Sequence, residues 1–384
     1  EDHTFGELNN ELNTHLGGFR TSLRTDLEEH DDEKMQAHFV VRAKVLNNKV
    51  DKLFDLTEEV LYGSKLDDKE RLETLLRKHH SRLYAMTQRN GLGMAMMRLS
   101  SYYSNEGQFE ELTRGYSYYK FVSDLMENYD AKYDEMVENL REVAGTLFNK
   151  DNMKVYVACD GDDLQQFNDG LKMMAENMPK QEHPAREWKF AFEKRNEGML
   201  TPSKVQYVTK GYNFKKLGYD YNGKMRVLNQ ILSREWLNNQ IRVIGGAYGG
   251  FCGFSESGNF YFASYRDPNL KGTIDNIEGS ADFLRGFDPS DEEMRRFIIG
   301  TISNMDRPRS PSQEGRTALS YYLTNTTPRE VQAVRDAVLS TTPEDIRSMA
   351  DFVEKIIDES ALCVYGNEDK IKSQENLFKK TFTL

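Results

Sequence analysis

Two stretches of this 384-residue chain set a glycine doublet ahead of an alternating run. ELNTHLGGFRTSLRT (residues 11–25) carries Gly17-Gly18, and NNQIRVIGGAYGGFCGF (238–254) carries Gly245-Gly246, 228 residues later. The likeness continues. HFVVRAKVLNNKVDKLFDLTEEVLYG (38–63) parallels FYFASYRDPNLKGTIDNIEGSADFLRG (260–286), each an alternating run that gives way to helical spacing of apolar residues. MRLSSYYSNEGQFEELTRG (97–115) parallels TALSYYLTNTTPREVQAVRD (317–336) at an offset of 219. NMKVYVACDGDDLQQFNDGL (152–171) parallels SALCVYGNEDKIKSQENLF (360–378) at an offset of 209. An offset that shrinks in one direction is what loop deletions in a second copy produce, whereas chance matches scatter.

Each copy reads as strands, then about four helices, then one strand and a closing helix. That order is α+β, and it predicts two homologous domains, each a mainly antiparallel sheet with helices packed on one face. The expected bounds are 1–178, a connecting segment 179–202, and 203–384. The connecting region, MPKQEHPAREWKFAFEKRNEGMLTP (178–202), holds three of the nine prolines and many charges. Its alternating Trp188, Phe190 and Phe192 leave an ordered strand open as an alternative. Before the second doublet come a strand pattern, KVQYVTKGYNF (204–214), and a helix pattern, GKMRVLNQILSREWLNNQIR (223–242); the first copy has sixteen residues there, enough for the helix alone. The first domain is therefore expected to be N-terminally truncated and the polypeptide to continue upstream. The start, Glu-Asp-His-Thr, reads as a cut, with neither an initiator Met nor a leader.

A chain of this length suits two domains with their own cores. No apolar run approaches the roughly 18 residues of a membrane-crossing helix, so no membrane is expected. A net charge of −11 argues against nucleic acid as a partner, because counterion release needs clustered Lys and Arg. Three widely spaced cysteines, Cys159, Cys252 and Cys363, fit buried free thiols in a reducing compartment.

The second copy has no imidazole to offer a metal, since the seven histidines (His3, His15, His30, His38, His79, His80, His183) end at residue 183. Neither H-E-x-x-H nor H-x-x-E-H occurs, and adjacent His79 and His80 would point about 100° apart on a helix. G-x-S-x-G, the P-loop pattern and C-x-x-C are also absent. GGAYGGFCGF follows a helix pattern and enters a strand pattern, the reverse of a dinucleotide-binding loop. Arg242 and Tyr248 remain, six residues apart across Gly245-Gly246. Glycines allow a sharp turn that could present both side chains to one ligand. Arg offers a fork of donors for a carbonyl or carboxylate, and a Tyr hydroxyl can donate to a developing oxyanion. On spacing alone the plainer reading is favoured, in which Arg242 pairs with a surface carboxylate and Tyr248 is a strand aromatic.

RVIGGAYG followed by SYRDPN resembles the presequence-protease branch of the insulinase-like (pitrilysin) zinc metallopeptidases. The resemblance runs on through GSADFLRG, SDEEMRRFIIGTISNMDRPRSPSQEGRTALSYYL and STTPEDIRSMADFV, while HLGG is the main marker in residues 1–180. It implies a LuxS/MPP-like metallohydrolase fold and a two-halved enzyme closing around a peptide, with zinc bound by H-x-x-E-H and a distal Glu in the other half. It further implies that this chain is the C-terminal, non-zinc-binding half of a metalloendopeptidase that degrades short unfolded peptides, inactive alone. Its partners would be the N-terminal catalytic half of the same polypeptide and peptide substrates. Tyr248 would steady the tetrahedral intermediate and Arg242 a substrate carbonyl or Tyr248 itself, on a turn shaped by Gly245 and Gly246. No metal is expected in this chain. Phe251 and Phe260 are expected to pack in the core, and Arg266, Asp267 and Asn269 to cap the strand end. The compartment expected is a bacterial cytosol or a mitochondrial matrix. The alternative is a non-catalytic subunit that pairs with a separate zinc-bearing chain.

Overall fold

The computed structural model describes residues 3–180 and 188–384, so His183, Pro184 and the middle of the connecting segment lie outside the described residues. The first half opens with α1 (Phe5–His15) and an antiparallel hairpin, β1 (Leu16–Leu27) and β2 (Met35–Val45). Then come α2 (Val50–Tyr62), α3 (Lys69–Arg89), α4 (Gly91–Ser100), α5 (Asn105–Arg114), α6 (Tyr116–Glu127), α7 (Tyr129–Leu147) and α8 (Leu164–Asn177). The second half begins with β3 (Asn196–Thr201), β4 (Tyr207–Asn213) and α9 (Lys224–Ile231), which continues without a break into a π-helix (Leu232–Ile244). Next are β5 (Gly249–Phe254), β6 (Asn259–Tyr265), α10 (Lys271–Glu278), α11 (Ser280–Arg285), α12 (Asp291–Met305), α13 (Pro311–Thr324) and α14 (Pro328–Leu339). The chain closes with α15 (Pro343–Ser348), α16 (Ala350–Glu359), β7 (Ala361–Asn367), α17 (Glu368–Lys372) and β8 (Lys380–Thr383).

The expected α+β class holds, but the two halves do not each carry a mainly antiparallel sheet. One six-stranded sheet, in the order β5-β6-β4-β7-β3-β8, belongs to the second half; the first half has only its hairpin among the described residues. The large sheet is mixed, because β3 runs parallel to both β7 and β8 while the other pairs are antiparallel. β3 lies within the stretch read as connecting segment. No strand forms at Trp188–Phe192; Trp188 stacks on Phe190 and meets Phe109 of α5 edge-on.

The stretch 153–160, expected to be a strand, is irregular. Its counterpart β7 is held between β4 and β3, whereas 153–160 has no ladder partner among the described residues. Lone strands are unstable without such partners. Instead Lys154 donates to Gln36 Oε1 at 3.2 Å, and the Tyr156 hydroxyl lies against Gly315 of α13.

Helices cover both faces of the large sheet, not one. On the first face Phe260 and Phe262 of β6 meet Leu237 and Ile241 of the π-helix and Phe352 and Ile356 of α16. On the other, Met94, Ala95 and Leu99 of α4, with Tyr102 and Tyr103 beyond its end, pack on Met199, Tyr207, Cys363 and Tyr365. This explains why ALCVYG reads as a continuous apolar run: a strand buried on both sides has no polar face.

A buried ion cluster fastens α4 and α5 to β3. Arg98 Nε donates to Glu197 Oε2 at 2.7 Å, an Arg98 terminal nitrogen to Glu111 Oε1 at 3.1 Å, and the Tyr102 hydroxyl to Glu197 Oε2 at 2.8 Å. Both carboxylates are only 2% exposed. At the hairpin tip Asp32 accepts from the amides of Asn105 (2.6 Å) and Glu106 (3.2 Å), capping α5, while Lys215 donates to the His30 carbonyl at 2.8 Å. Arg98→Ala leaves buried Glu111 without its cation and Glu197 with only the more distant Arg195, at 3.8 Å, and should cost about 3–5 kcal/mol, read from urea unfolding. Burial pushes the Glu197 carboxyl up, but the hydrogen bond and charge of Arg98, helped by Tyr102, outweigh it and hold it below the usual range. A carboxylate depressed in the folded state stabilises above its unfolded value of about 4.3 and loses that contribution as pH falls through the folded value. Stability should therefore drop on acidification below about pH 4 in the native protein, and less steeply in Glu197→Gln.

Candidate functional site

The second glycine doublet ends the π-helix. The Gly245 amide donates to Gln240 O at 3.0 Å, a five-residue step, and the Ala247 amide to Ile241 O at 3.1 Å. Gly246 stands at φ +79°, the left-handed conformation in which helices commonly stop and which glycine adopts without steric cost. Gly245 itself keeps helical dihedrals, so only one of the pair needs its conformational freedom. The chain then turns onto β5, which lies close against the helix it has just left. A Cβ on Gly250 would come within 2.7 Å of both Leu237 O and the Ile241 Cβ.

This turn exposes a short row of side chains. Val243, Ile244 and Tyr248 are 70%, 73% and 64% exposed, beside exposed Arg242. Buried Ile241 and Ala247 bracket them and fix the turn to the core. Arg242 makes no side-chain hydrogen bond or ion pair among the described residues, so the surface carboxylate expected of the plainer reading is not there. The ring of Tyr248 instead neighbours a different cation. The guanidinium of Arg266 stands 5.6 Å from the ring centres of both Tyr248 and Tyr265, within cation–π range. Arg266 is also left-handed, at φ +48°, which is uncommon for a residue with a side chain.

The loop after β6 closes the site from below. Gln206 and Asp267 exchange two backbone hydrogen bonds, at 2.7 and 2.8 Å. The buried Asp267 carboxylate accepts from the Asn269 amide at 2.8 Å and the Thr273 hydroxyl at 2.6 Å. Burial pushes that carboxyl above its usual range, and these donors offset only part of the shift. Asn269 Nδ2 donates to the Gly245 carbonyl at 2.7 Å, joining the loop to the glycine turn. The capping role expected of Asp267 and Asn269 is thus observed; the reach of Asn269 to Gly245 and the stacking of Arg266 on Tyr248 had no signal in spacing, since both depend on β5 and β6 lying side by side. Phe260 is buried in the core as expected, and Phe251 is half-buried.

The turn is an open surface; two hollows, one beside Tyr129 and one lined by Phe283, Phe287 and Phe297, lie elsewhere. Among the described residues no cluster of three or more His, Cys, Asp or Glu could hold a metal ion. What the arrangement offers chemically is a hydroxyl donor and a guanidinium fork facing solvent.

Two family models match: the PreP C-terminal domain over residues 196–365, and the associated domain of the peptidase M16 family, subfamily C, over residues 1–125. Protein HypA of Clostridium perfringens is 33% identical over 98% of this chain and 39% of that protein. Presequence protease 1, chloroplastic/mitochondrial, of Arabidopsis thaliana is 30% identical over 98% of this chain and 35% of that protein. The chain thus spans under two-fifths of these relatives' lengths. Among solved structures, the fold is similar to the peptidase M16 inactive domain of Pseudomonas fluorescens (TM-score 0.58, 14% identity, 95% of this chain and 84% of that one). It is similar also to pitrilysin (TM-score 0.59, 14% identity, 99% of this chain and 39% of that one). With both halves matched in order, and with RVIGGAYG and SYRDPN meeting at one turn, the chain belongs to the presequence-protease family of peptidases and corresponds to its C-terminal region.

Proposed function

We propose that this chain is the C-terminal, non-zinc-binding half of a metalloendopeptidase acting on short unfolded peptides, and that Arg242 and Tyr248 are its contribution to the reaction. The observation that carries the reading is an exposed Arg without a partner beside an exposed Tyr, on a turn whose backbone is fixed on both sides. An unpaired guanidinium keeps its fork of donors for a substrate carbonyl. The Tyr248 hydroxyl, held out by β5, can donate to an oxygen that gains negative charge as a peptide carbonyl becomes tetrahedral, where such a donor does most. The described residues of this chain do not fit a zinc site, so the metal would reside in the other half, and no step here passes through it. Cys252 and Cys363 are buried with thiols pushed up to about 12 by that burial, and Cys159 is an exposed free thiol, all consistent with a reducing cytosol or matrix.

Tyr248→Phe in the complete two-halved enzyme should lower kcat about a hundredfold, the scale of a lost oxyanion donor, with the melting temperature unchanged. Turnover at the native rate would favour the alternative of a non-catalytic partner. This chain alone, assayed with quenched fluorescent peptides and added zinc, should show no hydrolysis.

A further inference from the structure

Resting on that reading, we propose that Asn269 is the positioning residue of the site, acting through the Gly245 carbonyl to hold Arg242 and Tyr248 in register. The turn between these two side chains contains a left-handed glycine, and glycine lets a backbone wander between left- and right-handed states. Something outside the turn must therefore hold it. The loop 266–269 is suited to do so because it is itself immobilised. Gln206 clamps the Asp267 backbone, the Asp267 carboxylate is anchored by the Asn269 amide and Thr273, and the Lys370 ammonium of α17 holds the Pro268 carbonyl. Pro268 stands behind the turn, with its Cγ 3.7 Å from where a Cβ on Gly246 would sit.

The Asn269 carboxamide carries this rigidity across to the turn. Its Nδ2 meets the Gly245 carbonyl at 2.7 Å, while its own backbone amide is bound to Asp267, so neither end of the residue is free to drift. Asp at this position would set a carboxylate oxygen against a carbonyl oxygen, reversing the contact without changing size. Asn269 touches neither Arg242 nor Tyr248 through a hydrogen bond, so its effect should appear in turnover more than in peptide affinity.

The test compares Asn269→Ala, Asn269→Asp and Tyr248→Phe in the complete enzyme. Asn269→Ala should lower kcat ten- to a hundredfold, the loss expected when reacting groups are misplaced by about 1 Å, with KM within about twofold. Amide exchange at residues 246–248 should quicken while the melting temperature holds. Asn269→Asp should lose at least as much, and it carries the comparison if Asn269→Ala fails to fold. Native turnover and unaltered exchange in Asn269→Ala, alongside an impaired Tyr248→Phe, would overturn the positioning role and leave the site intact. Native turnover in Tyr248→Phe would overturn the site and the role of Asn269 with it.

Discussion

A sheet whose strands are apolar on both faces needs cover on both, and here the cover comes from different halves of the chain. The π-helix and α16 lie on one side, while α4, more than a hundred residues upstream of β4, lies on the other. The elements next to α4 are placed by this demand, while α2 and α8 pack into a small core of their own around Phe54 and Met174. Once α4 is seated, Arg98 reaches Glu197, α5 follows, and the hairpin tip is drawn in to cap it through Asp32. Gly91 shows how tight the seating is: a Cβ there would come within 2.5 Å of the Tyr207 ring. The buried ions add little attraction net of their desolvation, but they make misplacement of α4 expensive, because any shift strands a charge.

Local pattern carried most elements into view. The helix-then-doublet-then-strand order around Gly245, the strand at 204–214, the helices after β6 and the terminal strand-helix pair all have strong periodicity or cap residues, and all are present. Long-range pairing is where local pattern fails. NMKVYVACD has a strand's composition, yet a strand exists only in a ladder, and residues 153–160 find none among the described residues. β3 was hidden for the opposite reason: NEGMLT has weak strand propensity and is ordered by β7 and β8 on either side. Likewise the repeated Tyr pair gave no hint that Tyr102 and Tyr103 are buried under the sheet while Tyr322 is 74% exposed.

The candidate site was legible as residue types and obscure as architecture. Arg242, Tyr248 and the doublet stand out by composition, but spacing favoured a salt-bridged arginine, and only the fold shows Arg242 exposed with no ion pair among the described residues. The neighbours that shape the site lie eighteen or more residues from Tyr248, and Arg266 reaches Tyr248 and Asn269 reaches Gly245 because an antiparallel pair brings strand ends together. The cation–π contact with the Arg266 guanidinium also steadies the Tyr248 ring, which is otherwise largely exposed to water.

β3 is the fifth strand across the sheet but the first of it to be made, and both its neighbours, β7 and β8, come from residues 361–384. The parallel pairs close loops of more than 150 residues, which is slow and leaves little to reward the chain until late. Until β7 arrives, α4 can rest on Met199 and Tyr207 but lacks the Ala361, Cys363 and Tyr365 side of its seat, and the inner edge of β4 is unpaired. During synthesis this molecule must therefore carry a sticky half-core until β7 and β8 are made, and its yield in a cell should be governed by chaperone capacity as much as by the stability of the finished fold.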